Sequence, residues 1–246
     1  MKVAVVGAKG RMGREAVSAI RKADDLELVA EIDLGDPIEK LQASRAEVMV
    51  DFTNPDSVMQ NVEFAIRNGI HVVIGTTGFD QARLDLLAGW LANSPKTGAL
   101  VAPNFGLGAI LMMQFAATAA RYFESVEIVE LHHPEKADAP SGTAARTAEM
   151  ITEARKLANR PAMPDKTSKA LDGARGAKVG DVPIHSIRLR GLVAHQEVLF
   201  GDQGETLSIR HDSMDRSGFM PGVLLGVRKV GSHPGLTVGL DKYLDI

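Results

Sequence analysis

The chain has 246 residues, of which 45% are hydrophobic and 24% are charged. This length is sufficient for one large or two modest domains with a sizeable core, and the composition is that of an ordinary globular protein. A net charge of -3 and a pI near 6.2 do not indicate a basic surface. We therefore expect neither nucleic acid nor an anionic membrane as a partner. The absence of cysteine excludes disulfides, thiolate metal sites and thiol nucleophiles.

The N-terminal apolar run, residues 1–7, is too short for a signal peptide, and no stretch is long enough to span a bilayer. We therefore expect a cytoplasmic protein. Seven histidines could bind a metal ion, but the chain has neither an HExxH motif nor a carboxylate-rich loop. We therefore expect no metal.

The first patterned segment predicts a nucleotide-binding unit. Val3 to Val6 is a continuous apolar run typical of a doubly buried parallel strand, and glycines follow at positions 7, 10 and 13, before a helical stripe. Strand, glycine turn and helix start together predict a pyrophosphate cradle. A second apolar strand, 26–32, leads to Asp33, which lies 20 positions after Gly13, close to the spacing of an acid that takes ribose hydroxyls. The alternative is a plain β-α-β unit in which Asp33 caps a turn.

The same alternation continues along the first half of the chain. Strands are predicted at 48–52, 71–74 and 99–102, with helices at 55–68 and 81–93, which indicates a mostly parallel sheet with helices on both faces. The loops at the carboxyl ends of these strands are small, hydroxylated or glycine-rich, and they predict a floor for a flat nicotinamide. The alternative is that these residues only form turns.

The second half of the chain has a different pattern. A helix is predicted at 110–123, a strand at 126–131, a helix at 143–158 and a long surface loop at 159–181. Alternation at 187–190 and 193–200, and again at 205–211 after the turn 201–204, predicts an open sheet with a β-hairpin. We expect its own helices to cover one face and another subunit to cover the other, because apolar residues recur along the strands: Val193, Leu199, Leu207 and Ile209. The helical stripe 220–227 and the segment 236–240 are expected to return to the first domain.

Residues 130–143 concentrate unusual chemistry. Two adjacent histidines, a lysine and carboxylates run into Pro-Ser-Gly-Thr, which is typical of a helix start. The N–H groups at a helix start can bind a carboxylate, so this segment predicts an acid-binding, proton-handling loop. For the histidine pair the alternatives are a metal site or simple packing.

These motifs together resemble the 4-hydroxy-tetrahydrodipicolinate reductase family, also called dihydrodipicolinate reductases. The resemblance rests on the glycine loop 7–13, Gly75-Thr76-Thr77-Gly78, residues 102–105 and, most specifically, residues 130–143, and it covers the whole chain. It implies that NADH or NADPH reduces a cyclic dicarboxylic imine, a small molecule of diaminopimelate and lysine biosynthesis. It also implies a cytoplasmic homotetramer that assembles through the sheets of the substrate domains.

The resemblance also implies a role for each matching residue. His132 is a proton donor or acceptor and Lys136 is a proton donor, and which of them protonates the product stays open. The positions that match substrate binding are His133, Lys136, Ser141, Gly142 and Thr143. The positions that match cofactor binding are Gly7, Ala8, Lys9, Gly10, Arg11, Met12, Asp33, Gly75, Thr76, Thr77, Ala102, Pro103, Asn104 and Phe105.

The predicted fold is α/β, with a Rossmann-like dinucleotide-binding domain (1–104 and 214–246). A substrate-binding and tetramerisation domain (105–213) is predicted to be α+β with an open mixed sheet. Asp33 should repel the 2′-phosphate of NADPH, although Lys9 and Arg11 could attract it, so we expect NADH to work at least as well. Competing functions are another imine or carbonyl reductase and a non-catalytic NAD(P)-binding redox sensor. An aldehyde dehydrogenase is disfavoured because that chemistry usually needs a cysteine thiolate.

Overall fold

The computed structural model describes residues 1–244, so residues 245 and 246, the end of the predicted segment 214–246, lie outside the described residues. The chain forms two compact units, one made of residues 1–107 with residue 216 onward and one made of residues 108–215. The strands within residues 1–244 are β1 (Lys2–Val6), β2 (Glu27–Ile32), β3 (Val48–Asp51), β4 (His71–Ile74), β5 (Gly98–Val101), β6 (Ser125–His132), β7 (Ala177–Val179), β8 (Val182–Arg188), β9 (Ala194–Asp202), β10 (Glu205–Ser213) and β11 (Gly235–Val238). The α-helices there are α1 (Arg11–Lys22), α2 (Lys40–Ala43), α3 (Val58–Arg67), α4 (Gln81–Ala92), α5 (Leu107–Ala119), α6 (Gly142–Leu157) and α7 (Met220–Val230).

The first unit is built on a six-stranded parallel sheet in the order β11-β5-β4-β3-β1-β2. Every residue of β3 and β5 is buried, as expected for strands with helices on both faces. The winding of the chain reverses between β1 and β3, and ligands of such sheets bind beyond the carboxyl ends of the strands at that position. The predicted Rossmann-like fold of this unit is confirmed.

Helices cover both faces of this sheet. The helices α1 and α7 pack together on one face, where Gly226 of α7 lets the helix approach Val73 and Leu100. The helices α3 and α4 pack on the other face through buried residues that include Val62 and Leu87. Each fully buried aliphatic side chain of this kind contributes about 1.5–3 kcal/mol to stability.

The second unit contains a five-stranded mixed sheet in the order β10-β9-β6-β8-β7. The pair β6–β8 is parallel, and the other three pairs are antiparallel. Residues of α5 and α6, such as Met112 and Ile151, pack on one face against Val126, Ile128 and Phe200. The predicted open mixed sheet, including the β9–β10 hairpin, is confirmed.

The other face of the second sheet carries apolar side chains that are only partly buried. Leu199 and Ile187 on this face are each 39% exposed. We expected Leu207 and Ile209 to share the face of Leu199, and this was wrong. They pair with Phe200 and Val198, which point into the core, because the hairpin register aligns odd positions of β10 with even positions of β9.

Two further element predictions are corrected. The segment 159–181 was expected to be a loop, but its end forms β7, which pairs with β8 across the two-residue turn Gly180-Asp181. Gly-Asp between strands is a hairpin signal, and it was missed. The helix expected at 55–68 begins only at Val58, because the side chain of Asn54 accepts the N–H groups of Asp56 and Ser57 in a preceding turn.

Candidate active site

The loop after β1 brings the three glycines of the sequence motif together. Gly7 has a φ of 79°, and a Cβ there would lie 2.6 Å from the carbonyl oxygen of Phe52. A Cβ on Gly13, in the first turn of α1, would lie 2.0 Å from the carbonyl oxygen of Gly7. Gly10 begins α1 without a side-chain cap, and the first turn carries no acid. The N–H groups at this helix start are therefore suited to hold a pyrophosphate.

Asp33, the predicted partner of the ribose hydroxyls, lies beside the same loop. The backbone N–H of Lys9 donates to Asp33 Oδ2 at 2.6 Å, and that of Leu34 donates to Oδ1 at 2.9 Å. These hydrogen bonds, with that of Lys9 the stronger, lower the pKa of Asp33 below its ordinary value. The carboxylate is therefore ionised next to the loop. Of the other predicted positions, Ala8 and Lys9 belong to the loop, and Arg11 and Met12 begin α1.

A buried carboxylate organises the strand ends that form the predicted nicotinamide floor. Asp51, at the end of β3, is fully buried, and its Oδ1 accepts hydrogen bonds from the hydroxyl groups of Thr53 and Thr76, both at 2.7 Å. Its Oδ2 accepts a hydrogen bond from the amide of Asn61 at 2.9 Å. The hydroxyl of Thr76 thus points inward, which leaves the backbone of this residue for a ligand.

Two aromatic rings pack directly against Gly75. A Cβ on Gly75 would lie 2.1 Å from the ring of Phe52 and 2.9 Å from the ring of Phe105. These two rings meet edge to face, with centroids 5.8 Å apart. The remaining predicted floor residues differ in exposure, since Thr77 and Pro103 are exposed whereas Ala102 is buried. The side chain of Asn104 accepts the N–H of Gly106 at 2.8 Å.

In the second unit, His132 ends β6 beside a buried acid. Its Nδ1 lies 2.5 Å from Glu130 Oε2, and Nε2 has no partner within residues 1–244. Glu130 is fully buried, and both of its oxygens accept hydrogen bonds from Arg188, at 2.8 and 2.9 Å. The N–H of Ser141 also donates to Glu130, at 3.2 Å. Strand β6, strand β8 and the start of α6 therefore meet at one carboxylate.

Burial and charge set the protonation of this cluster. Burial opposes ionisation of Glu130, but the hydrogen bonds from the side chains of Arg188, Ser186 and His132 outweigh it and lower the pKa of Glu130. Burial also lowers the pKa of His132, while the charge of Glu130 acts in the opposite direction without reversing the shift. Near neutral pH the pair is therefore mainly a carboxylate beside a neutral imidazole.

Lys136 lies on the loop between β6 and α6. Its Nζ donates to Asp138 Oδ1 at 2.6 Å, and its side chain is only 20% exposed. His133, the other predicted substrate residue of this loop, has Nδ1 3.2 Å from Glu135 Oε2. Asp138 neutralises Lys136 in the absence of an anionic ligand.

The helix start predicted at Pro-Ser-Gly-Thr is confirmed. The N–H of Ala144 donates to Ser141 Oγ at 3.2 Å, so that Ser141 caps α6. Space is open at Gly142, since no atom lies within 4 Å of a Cβ built there. The N–H of Ser141 is already used by Glu130, so it is not available to a carboxylate as the sequence suggested.

The hydrogen bonds of Glu130, Arg188 and Asp51 were not predicted from the sequence. One signal for Glu130 was present, because it occupies the third core-facing position of β6 after Val126 and Ile128. A charge at a core position indicates a buried partner. No spacing rule connects Glu130 with Arg188, which lies 58 positions further along the chain.

Within residues 1–244, His, Asp and Glu side chains form no group of three that could hold a metal ion. No helix in that range is long and apolar enough to cross a membrane.

Comparison with known families gives two matches in succession. The family model described as dihydrodipicolinate reductase, N-terminus, matches residues 1–105. The model described as dihydrodipicolinate reductase, C-terminus, matches residues 108–244. Together these matches cover nearly the whole chain.

Individual relatives extend over the full length. The 4-hydroxy-tetrahydrodipicolinate reductase of Nocardia farcinica is 64% identical over 246 residues, which cover 100% of this chain and 99% of the relative. The protein of the same name from Mycobacterium sp. strain KMS is 59% identical, with 100% of both chains covered. Among solved structures, dipicolinate-bound dihydrodipicolinate reductase from Paenisporosarcina sp. TG-14 has a TM-score of 0.89 at 38% identity, with 99% of each chain covered.

Proposed function

The chain belongs to the dihydrodipicolinate reductase family, and from this premise we propose that His132 and Lys136 handle the proton of the reaction. The protein reduces 4-hydroxy-tetrahydrodipicolinate with NADH or NADPH, a step of diaminopimelate and lysine biosynthesis. The observation that supports the residue assignment is the imidazole of His132, anchored through Nδ1 on Glu130 with Nε2 left for a substrate. Lys136, on the loop that follows, is the nearby ammonium group.

NADH or NADPH fits the first unit, residues 1–107 with residue 216 onward, which we assign as the dinucleotide-binding domain. The glycines at 7, 10 and 13 leave backbone N–H groups for the pyrophosphate, and Asp33 is an ionised partner for ribose hydroxyls. When bound, the nicotinamide supplies a hydride from C4. The other positions of this site are Ala8, Lys9, Arg11, Met12, Gly75, Thr76, Thr77, Ala102, Pro103, Asn104 and Phe105.

The second unit, residues 108–215, is the proposed substrate-binding domain. Loss of the 4-hydroxyl group as water converts the substrate to a conjugated imine. Addition of hydride to this imine leaves an electron-rich enamine, and this must take up a proton. Neutral His132 cannot give up its Nδ1 proton without breaking its contact with Glu130. Because burial lowers the pKa of His132, the imidazolium is the minor form near neutral pH, which favours Lys136 as the proton donor.

The two carboxylates of the substrate need cationic and N–H partners. Lys136 can exchange Asp138 for a substrate carboxylate, since both are anions of the same type. His133, Gly142 and Thr143 complete the proposed site at the start of α6, where the helix dipole favours an anion. Ser141 contributes as the cap of α6.

The assay follows nicotinamide absorbance while the substrate is generated in place. The wild-type protein is expected to oxidise NADH only when substrate is present, whereas a redox sensor would bind NADH without turnover. His132→Gln should lower kcat by about 10²- to 10⁴-fold, the range of general acid–base catalysis. His233→Gln, a histidine of the first unit outside the proposed sites, serves as the control and should retain wild-type kcat. No turnover by the wild type would reject the function, and more than half the turnover in His132→Gln would reject that residue's role.

Homotetramer assembly and a cytoplasmic location are part of the same proposal. The partly exposed apolar side chains on the open face of the second sheet, such as Leu199 and Ile187, are suited to cover one another in an assembly. Sedimentation that shows only monomer at micromolar concentration would refute the tetramer. Fractionation of the producing cells tests the location.

A further inference from the structure

A charged side chain occupies a core position of β6. Val126 and Ile128 point into the core of the second unit, and Glu130 is the next residue on that face, fully buried. A buried carboxylate costs several kcal/mol unless it is paired and hydrogen-bonded. Apolar side chains would fill this position at lower cost, so the retained charge requires an explanation other than packing.

The donors around Glu130 determine where the proton of His132 lies. Arg188 binds both carboxylate oxygens and the backbone N–H of Ser141 binds Oε1, and these groups can only donate. With three donors already present, Glu130 is ionised and acts as an acceptor. The nitrogen of His132 that lies 2.5 Å from Oε2 must therefore carry a hydrogen. In the neutral ring this leaves Nε2 as an acceptor.

We propose that Glu130 is a positioning residue for His132, whose carboxylate, held by Arg188, keeps the imidazole proton on Nδ1 and directs Nε2 to the substrate. This inference rests on the proposed function, because it matters only if His132 acts on the substrate. Glu130 itself makes no contact with the reacting atoms. Its effect on the reaction passes entirely through the tautomer and the orientation of the ring.

Arg188 has a second contact that extends this arrangement to Lys136. Its NH2 group donates to the backbone carbonyl of Asp138 at 2.7 Å, while Asp138 Oδ1 accepts from Lys136. One guanidinium therefore joins the carboxylate that orients His132 to the loop that carries Lys136. The same ion pair, Glu130 with Arg188, therefore positions both groups of the proposed proton transfer.

The charges that face His132 predict that loss of Glu130 and loss of Arg188 shift the pKa of His132 in opposite directions. Glu130 raises the pKa of His132, whereas Arg188 and Lys136 lower it. Removal of the Glu130 charge should therefore shift the titration of His132 to lower pH, and removal of the Arg188 charge should shift it to higher pH. A pair that stabilised the fold without acting on the ring of His132 would not produce shifts of opposite sign.

The experiment uses the full chain with Glu130→Gln, Arg188→Met and the double variant. Steady-state kcat and KM are measured together with thermal unfolding. The pH dependence of carbethoxylation of His132 by diethyl pyrocarbonate is read residue by residue by mass spectrometry. Glu149→Gln makes the same change in an exposed pair with Arg146 of the same unit and should leave kcat unchanged.

Glu130→Gln is expected to lower kcat at least about 10-fold, but by no more than His132→Gln, because in this proposal Glu130 acts only through His132. KM should change less than kcat. In the Arg188→Met background, Glu130→Gln should lower kcat again. If Glu130→Gln alone does not fold, the comparison of Arg188→Met with the charge-balanced double variant provides the test.

Two results would overturn the inference. One is a Glu130→Gln protein with kcat within twofold of wild type and an unchanged titration of His132. The other is equal kcat in Arg188→Met and the double variant, which would make Glu130 only a partner of Arg188. If the wild type is active and His132→Gln is impaired, either of these results leaves the proposed function intact. An inactive wild type would reject the proposed function instead.

Discussion

The closest backbone packing in the proposed cofactor site predicts a strong effect of Gly13→Ala. The added Cβ would lie 2.0 Å from the carbonyl oxygen of Gly7 and 2.9 Å from Ala8 Cα. The first distance is more than about 1 Å below ordinary van der Waals contact. Both neighbours are backbone atoms, so neither can rotate away. The loop after β1 must therefore shift relative to α1.

The size of the effect follows from two opposing terms. Overpacking costs about 1–3 kcal/mol, and the better helix propensity of alanine offsets at most about 1 kcal/mol. Because a contact of 2.0 Å places the overpacking cost at the upper end of its range, we expect a net loss of about 1–2 kcal/mol of stability. If the shift also removes one hydrogen bond to the charged pyrophosphate, the KM for NADH should rise about 10- to 100-fold.

Gly89→Ala in α4 is the matched control for Gly13→Ala. No atom lies within 4 Å of a Cβ at Gly89, so alanine there should stabilise the protein by up to about 1 kcal/mol and leave KM unchanged. Thermal unfolding by circular dichroism and NADH titrations in the reductase assay measure both effects. Wild-type stability and wild-type KM in Gly13→Ala would refute the packing argument.

Three other predictions concern charge. Lys136→Ala should lower kcat and raise the substrate KM, because an ammonium beside a carboxylate both binds and donates; unchanged steady-state constants would remove its role. NADH should be at least as efficient as NADPH, and Asp33→Ala should shift the ratio toward NADPH; a large preference of the wild type for NADPH would contradict this. The Arg228 side chain holds the pKa of Asp25 at about 2, below its ordinary value of 3.8, so this carboxylate stabilises the fold above about pH 4 and the effect is lost as pH falls through 2. Asp25→Asn should therefore lower the melting temperature at pH 7 but not below pH 2, and an equal decrease at both pH values would contradict the linkage.

Local patterns in the sequence predicted the order of elements and the fold class. Apolar runs, glycines at 7, 10 and 13 and the alternation around the turn 201–204 act over short stretches, and the corresponding strands and helices are present. The strand, loop and helix start of residues 130–143 are also local, so the elements that carry His132 and Lys136 could be predicted from their neighbours in the chain.

Pairings between distant residues needed the tertiary structure. The face on which Leu207 lies depends on the register of the β9–β10 hairpin, and a shift of one residue would reverse it. Two partners of Asp51, Thr76 and Asn61, come from the loop after β4 and from α3. Such contacts leave no periodic signal in the sequence.

The sequence by itself indicated the candidate reactive groups and the type of element that carries each one, because these follow from residue chemistry and short-range periodicity. Only the tertiary structure decided how the groups are held. Arg188 reaches Glu130 across 58 positions because β6 and β8 are parallel neighbours in the second sheet. The physical reason is that a buried charge must find its partner in space, and the pairing of strands sets which residues meet there.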